Sequence, residues 1–304
     1  MPVATEIHIQ HDAPIPTWFG IGGRADRLAH AQSVDDLRRC LEIDPNLRVL
    51  GDGANLLVDD AGVGFLVLRL DGGELADVRF DPDEPRLVAG AGVNLPKLIL
   101  ECVRRGLAGL EGLGGIPATI GGAAIMNAGG TFGTFADAVA CVHALTRAGT
   151  PITLERPSCD FAYRHSALRD VLVTSVELRL RRDDPDRLRA KLKSVMSAKS
   201  RSQPLGDNSA GCVFKNPTLR IGIPEIGVPG ARVSAGLLID RAGCKGARVG
   251  GARVSERHGN FFVTTRKATA RDVTELMDQV RARVREAFDI LLEPEVVIWK
   301  RDAA

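Results

Sequence analysis

The sequence predicts an α+β protein. Three observations point that way. Apolar stretches of strand and helix periodicity alternate along 304 residues without the strict repeat of a barrel. Two glycine-rich segments, residues 51–57 and 111–130, interrupt the alternation, and the second is apolar and free of serine, unlike a flexible linker. A charged, serine-rich stretch at residues 199–204 reads as a domain boundary. A chain of this length can bury a large core and is expected to form two or three domains.

The elements follow in order. Ser33 is an N-cap with Asp36 three residues on, and Val34, Leu37 and Leu41 share one helical face. Residues 48–50 are a short strand running into Gly51, 65–70 a second strand, and 87–93 a third. Pro96 near the start and Gly106 at the end bound a helix that buries Leu98, Ile99, Cys102 and Val103. Residues 139–145 and 152–154 flank Ala148-Gly149-Thr150-Pro151 as a hairpin, and 171–180 are a further strand. Asp184-Pro185 opens a polar helix to about residue 198. Beyond the boundary come a short helix at 234–243 and a strand at 261–263. Thr269 then caps a long helix with Val273, Leu276, Val280 and Val284 inward, and a closing strand spans 295–299.

Composition removes several function classes. Net charge is +2 and aromatic residues make up 4%, so neither an electrostatic footprint nor a stacking surface for nucleic acid is present. Residues 112–136 carry no charge, but their glycines, Pro117 and Asn127 argue against a lipid-buried helix, so no membrane insertion is expected. No secretory signal is visible at the N-terminus, and the six cysteines show no paired short spacing; reduced thiols in a cytoplasmic protein are the simplest reading. His8 and His11 sit in an N-terminus expected to be mobile, where solvated side chains are favoured over ligands, so no metal site is assigned. Gly20-Ile21-Gly22-Gly23-Arg24-Ala25 matches a dinucleotide fingerprint, but prolines precede it rather than a strand.

Five segments can carry chemistry. Gly51-Asp52-Gly53-Ala54-Asn55-Leu56-Leu57 follows a strand, where glycines let amides approach a phosphate; a plain tight turn is the alternative. Gly115-Ile116-Pro117-Ala118-Thr119-Ile120-Gly121-Gly122, followed by Asn127-Ala128-Gly129, suits packing against a large flat ligand, or close backbone packing between domains. In Tyr163-Arg164-His165-Ser166, the guanidinium of Arg164 suits a carboxylate or an enolate, against an ordinary surface salt bridge. In Ser209-Ala210-Gly211-Cys212-Val213-Phe214-Lys215-Asn216-Pro217, a thiol stands near a cation and an amide. Glu295 opens an apolar strand where half-burial would raise a carboxyl pKa, with Glu293 as the competing carboxylate.

In this order the segments resemble the UDP-N-acetylenolpyruvoylglucosamine reductases, flavoenzymes that make UDP-N-acetylmuramate for peptidoglycan, and specifically the shorter subgroup of that family. The likeness runs from Thr17 to Trp299. It implies an FAD-binding fold of the vanillyl-alcohol-oxidase (PCMH) type in two subdomains, 1–72 and 73–204, and a smaller α+β substrate-binding domain at 205–291. Residues 292–304 would return to the first subdomain. It implies that non-covalent FAD is held by Gly51, Asp52, Gly53, Ala54, Asn55 and Leu56, by Gly115, Ile116, Pro117, Thr119, Ile120, Gly121 and Gly122, and by Asn127, Ala128 and Gly129. NADPH would be the hydride donor and the enolpyruvyl ether of UDP-N-acetylglucosamine the substrate. Cys212 would donate the proton, Arg164 and Glu295 would polarise the carboxylate and stabilise the enolic intermediate, and Lys215 and Asn216 would help hold substrate. A monomer is expected.

This chain departs from the family pattern in carrying Cys212 where serine is common, Ala118 where glycine is common and Phe132 where tyrosine is common. Two other readings compete: another FAD-dependent sugar or lactone oxidoreductase of the same fold, and a non-catalytic flavin-binding protein.

Overall fold

The computed structural model describes residues 7–301. In chain order the regular elements are β1 (Ile9–Pro14), β2 (Arg24–His30), α1 (Val34–Ile43), β3 (Arg48–Leu50), β4 (Leu56–Val58), β5 (Val63–Arg69), β6 (Val78–Phe80), β7 (Arg86–Gly90), α2 (Leu95–Arg104), β8 (Leu107–Ala108) and α3 (Ile120–Ile125). There follow β9 (Gly129–Gly130), β10 (Gly133–Thr134), β11 (Val139–Leu145), β12 (Pro151–Glu155), β13 (Leu172–Arg179), β14 (Arg181–Arg182) and α4 (Pro185–Ser202). The chain ends with α5 (Ala235–Arg241), β15 (Arg248–Val249), β16 (Ala252–Val254), β17 (Phe262–Thr264), α6 (Ala270–Phe288) and β18 (Val297–Trp299).

Helix starts follow local side-chain chemistry. At α1 the Ser33 hydroxyl accepts from Asp36 N at 3.1 Å, and the Asp36 carboxylate accepts from Ser33 N at 3.0 Å. Thr269 and Asp272 repeat this reciprocal cap at α6. Each such cap stabilises its helix by about 1 kcal/mol. Asp60 adds two further acceptors at α6, taking Ala270 N and Arg271 N.

The chain forms two units. One comprises the residues up to Ala13, Ala25–Asp52 and Gly64–Lys199; the other comprises Pro14–Arg24, Gly53–Val63 and the chain from Ser200 onward. The first unit holds a four-stranded sheet, ordered β1-β2-β5-β3, and an antiparallel five-stranded sheet, ordered β12-β11-β13-β7-β6. Its core joins Leu37 and Leu41 of α1, Leu98 and Cys102 of α2, and Val142, Val176 and Leu178 of the larger sheet. The second unit holds the antiparallel sheet β15-β16-β17 and the parallel pair β4-β18, in which Val297 faces Leu56 and Trp299 faces Val58. Val273, Leu276, Val280 and Val284 of α6 enter its core together with Phe214 and Phe262.

Three local expectations change. Residues 9–14, including His11, form the edge strand β1 rather than a loose N-terminus, with backbone pairing standing in for apolar alternation. The helix at 185 runs to Ser202, through the stretch read as a boundary, because buried Leu188, Leu192 and Val195 continue at helical spacing to half-buried Lys199. The last strand is regular only from Val297, for the reason given below.

Candidate active site

The Cys212 segment is fixed by its backbone and by one buried amide side chain. Asn260 accepts at Oδ1 from Phe214 N (2.9 Å) and donates from Nδ2 to Phe214 O (2.7 Å), while Val213 N donates to Asn260 O (2.9 Å). Phe214 is fully buried and meets Phe262 edge to face, with ring centroids 6.0 Å apart. On the other side, Val213 O accepts from Glu295 N at 2.7 Å and from Val296 N at 3.3 Å. Two residues facing one is the hydrogen-bond signature of a β-bulge, which breaks side-chain alternation and re-aims side chains. It also explains why β18 begins two residues late. The bulge is braced from Asn55, whose side chain donates to Glu295 O (3.1 Å) and whose carbonyl accepts from Val297 N (3.0 Å).

Of the six cysteines five are buried, and Cys212 is the half-exposed one. It follows Gly211, whose φ of +77° is the left-handed region that glycine enters at no steric cost, and a side chain there would meet nothing within 4 Å. Lys215 N is held by Glu293 O, and the Lys215 ammonium lies 3.5 Å from the Glu293 carboxylate, so the competing acid pairs with the lysine. Asn216 Oδ1 accepts from Ala235 N at 2.9 Å at the first turn of α5. That end of the amide therefore serves the helix.

Arg164 belongs to the first unit, where Ala162 and His165 exchange backbone hydrogen bonds across a tight turn with Tyr163 and Arg164 at its tip. Its φ of +54° is strained for a non-glycine residue, by about 1–2 kcal/mol. Neighbours hold it there. Asn127, buried and itself at φ +41°, donates from Nδ2 to Ala162 O (2.9 Å) and accepts at Oδ1 from Ala136 N (3.1 Å). Ser166 Oγ donates to Ile125 O (2.8 Å). Asn127 thus ties the glycine-rich loop to the arginine turn. The Arg164 guanidinium lies 5.4 Å from the Tyr163 ring centre, and His165 pairs with Asp160 at 3.4 Å.

The glycine loops divide into two kinds of position. A Cβ on Gly51 would lie 2.8 Å from Thr119 Oγ1, and one on Gly121 would lie 3.0 Å from Ala91 Cβ. A Cβ on Gly53, at φ +66°, would collide with the Pro16 carbonyl, and one on Gly129 with the Gly133 carbonyl. These glycines admit chain against chain. At Gly122 a Cβ would meet only Thr119 Oγ1 at 3.4 Å, and at Gly130 nothing within 4 Å. Gly122 N is bonded to Thr119 Oγ1, the N-cap of α3, at 3.3 Å. Close packing and an open ledge therefore coexist, and the open positions fit a flat group laid against the backbone. Ile116, Ala118 and Ala128 pack on the first unit's core from that loop.

Sequence and structure comparisons place these features in a known setting. Residues 25–155 match an FAD binding domain, and residues 203–299 match the C-terminal domain of UDP-N-acetylenolpyruvoylglucosamine reductase. The reductase of Desulfosudis oleivorans is 39% identical, over 95% of this chain and 94% of its own; that of Moorella thermoacetica is 40% identical, over 93% and 90%. The chain belongs to the UDP-N-acetylenolpyruvoylglucosamine reductase family. The crystal structure of the Thermus caldophilus reductase superposes with a TM-score of 0.81 at 39% identity, covering 97% of this chain and 100% of that one.

The fold is accordingly the FAD-binding fold that the family resemblance implied, joined to the reductase C-terminal domain. The protein is an FAD-dependent reductase of peptidoglycan synthesis, acting on a small molecule. Among the described residues no helix is long and apolar enough to cross a membrane. The two glycine loops lie within the FAD-domain match, Cys212, Lys215, Asn216 and Glu295 within the C-terminal match, and Arg164 between the two.

Two residues of this reductase escaped the sequence reading. Lys199 donates to Gly114 O at 2.6 Å beneath the second glycine loop, and burial, then the nearby Arg164, bring its ammonium down to about 8. Its signal was the buried stripe of α4, which reaches it at helical spacing. Asn260 is the knot of the Cys212 segment; a polar residue beside the apolar Phe261 and Phe262 was its only mark.

Proposed function

We propose that this reductase converts UDP-N-acetylglucosamine enolpyruvate to UDP-N-acetylmuramate with NADPH as hydride donor and Cys212 as proton donor. The observation that carries this reading is Cys212 itself: the one half-exposed thiol, on a segment locked through Val213 and Phe214 to Asn260 and to the Glu295 bulge.

FAD, when bound, would accept hydride from NADPH and pass it to the terminal carbon of the enol ether. The protein must then supply one proton to the neighbouring carbon, so that the double bond gains one hydride and one proton in balance. A thiol, with an ordinary pKa of about 8.5, gives up a proton far more readily than a hydroxyl. The Cys212 S–H bond breaks toward carbon, and solvent restores the proton to the thiolate. Serine at the same place would do the same work as a weaker acid.

Arg164 and Glu295 are proposed to stabilise the enolic form of the carboxylate, Arg164 by a two-pronged hydrogen bond and Glu295 by a partly buried carboxyl group. Arg164 and Lys199 are two cations close enough to oppose each other's charge, an arrangement that an anionic ligand relieves. Lys215 is assigned to the substrate's anionic groups. Asn216 is assigned a share in substrate binding while it holds the start of α5.

FAD is assigned to Gly51, Asp52, Gly53, Ala54, Asn55 and Leu56 and to the loop from Gly115 through Gly129, with Gly122 on the open ledge. We assign FAD to subdomains at 1–72 and 73–204, with residues 292–304 joining the first, and substrate to 205–291. Six cysteines, none of them in a disulfide, accord with a reducing cytoplasm, and a monomer is the proposed state.

The deciding experiment follows the flavin spectrum and product separately. NADPH alone should bleach the bound flavin, and the enolpyruvyl sugar nucleotide should restore its colour with formation of UDP-N-acetylmuramate. Protein that takes up no flavin, or that is reoxidised only by oxygen, would reject the reading.

A further inference from the structure

The outer face of the larger sheet carries a group of side chains that the reductase reaction does not use. Cys141 and His143 are two residues apart on β11 and therefore share one face. Glu177 on β13 is the register partner of Cys141. Cys141 Sγ lies 3.8 Å from His143 Nε2 and 3.7 Å from Glu177 Oε2, and one ligand atom from each of the three lies within 4.8 Å of the others. Three atoms so spaced admit a point about 2.4 Å or less from each, close to the zinc bond lengths of about 2.0–2.3 Å for S, N and O donors.

We propose that Cys141, His143 and Glu177 form a zinc site that clips β11 to β13, with a solvent ligand in the fourth position. The donor set is one that Zn²⁺ accepts: thiolate, imidazole and carboxylate. The ring is already oriented. His143 Nδ1 lies 3.1 Å from Thr153 Oγ1 on β12, which leaves Nε2 turned to the thiol. Glu155 is the register partner of Cys141 on β12, on the side away from Glu177, and adds negative charge around the site. Arg86 also stands near Glu177, but its own hydrogen bond goes to Asp81 at 2.9 Å.

Without a metal the Cys141 thiol stays protonated, its pKa pushed up to about 11 by burial and then by Glu177, and it donates to the Glu177 carboxylate. Binding replaces that proton: the S–H bond breaks, an S–Zn bond forms, and the proton passes to buffer. The clip would join the central strand β13 to its neighbour β11 in a sheet whose other face is the first unit's core.

The test uses the full-length, flavin-loaded protein. After zinc exposure and gel filtration, metal analysis should find one zinc per chain. Cobalt(II) in its place should give a thiolate-to-metal charge-transfer band in a difference spectrum against the zinc form. Cys141→Ser and His143→Gln should each abolish the band while melting as the parent does without metal. Thr153→Val, which removes only the support of the ring, should weaken zinc binding about 10–100-fold. Cys212→Ser should keep the band. The proposal is overturned if the parent retains no zinc, if Cys141→Ser or His143→Gln binds it unchanged, or if Cys212→Ser loses it.

Discussion

The amide of Glu295 donates to the carbonyl oxygen of Val213 over 2.7 Å, one residue along the chain from Cys212. The link is made by backbone atoms, so side-chain changes at Cys212 or Glu295 leave it standing and report on chemistry. Cys212→Ala should keep NADPH reduction of the flavin while lowering turnover of the enolpyruvyl substrate about 10²–10⁴-fold. Cys212→Ser should keep most of the turnover. Rapid-mixing measurements of flavin bleaching beside product formation separate the two half-reactions; normal turnover in the alanine variant would place the proton elsewhere.

Asn260 predicts a stability effect. Its side chain is buried and serves both polar groups of Phe214. Asn260→Ala leaves an amide and a carbonyl without partners, each costing about 1–3 kcal/mol, so unfolding free energy should drop by about 2–6 kcal/mol. Denaturant unfolding measures this. Turnover should fall further than flavin reduction, because the segment that carries Cys212 loses its anchor.

Two glycines should respond in opposite ways. Gly53→Ala meets a φ of +66°, a cost of about 1–2 kcal/mol before its collision with Pro16 is counted. It should fold poorly. Gly122→Ala lies within α3 with only an ordinary contact to Thr119, and alanine there favours the helix by about 0.5–1 kcal/mol. That variant should melt no lower than the parent without flavin and yet retain less FAD, read from flavin absorbance per protein after gel filtration. Full FAD retention would remove the open ledge from the cofactor site.

What was legible in the sequence was what short-range chemistry encodes. Ser33 with Asp36, and Thr269, announce helix starts, and the stripe Val273, Leu276, Val280 and Val284 announces a buried face. The order of motifs carried the family. Bonds made at long range were not legible. Nothing near Asn127 in sequence signals that its amide ends on Ala162, 35 residues away, or that Asn55 braces Glu295, 240 residues away. Strand β1 has no apolar alternation, because an edge strand is held by its backbone pairing rather than by its side chains. The bulge at Glu295 shortened a strand that composition alone reads as continuous.

Lys199 makes stability depend on pH in a direction that can be worked out. Its ordinary value of 10.5 applies to the unfolded chain, and burial, then Arg164, bring it to about 8 in the fold. Below about 8 both states hold the proton, and the folded state bears the full cost of keeping an ammonium there. Between about 8 and 10.5 the unfolded chain holds a proton that the folded chain has released, so this residue makes stability rise with pH across that window. Lys199→Met removes the dependence. The stability of the variant relative to the parent should be greatest below about pH 8 and should shrink as pH rises toward 10.5, measured as the difference between urea midpoints at matched pH. An anionic ligand beside Arg164 and Lys199 would hold the ammonium charged. In its presence the window should therefore move up and narrow, whereas a lysine with a purely structural role would titrate the same way with or without it.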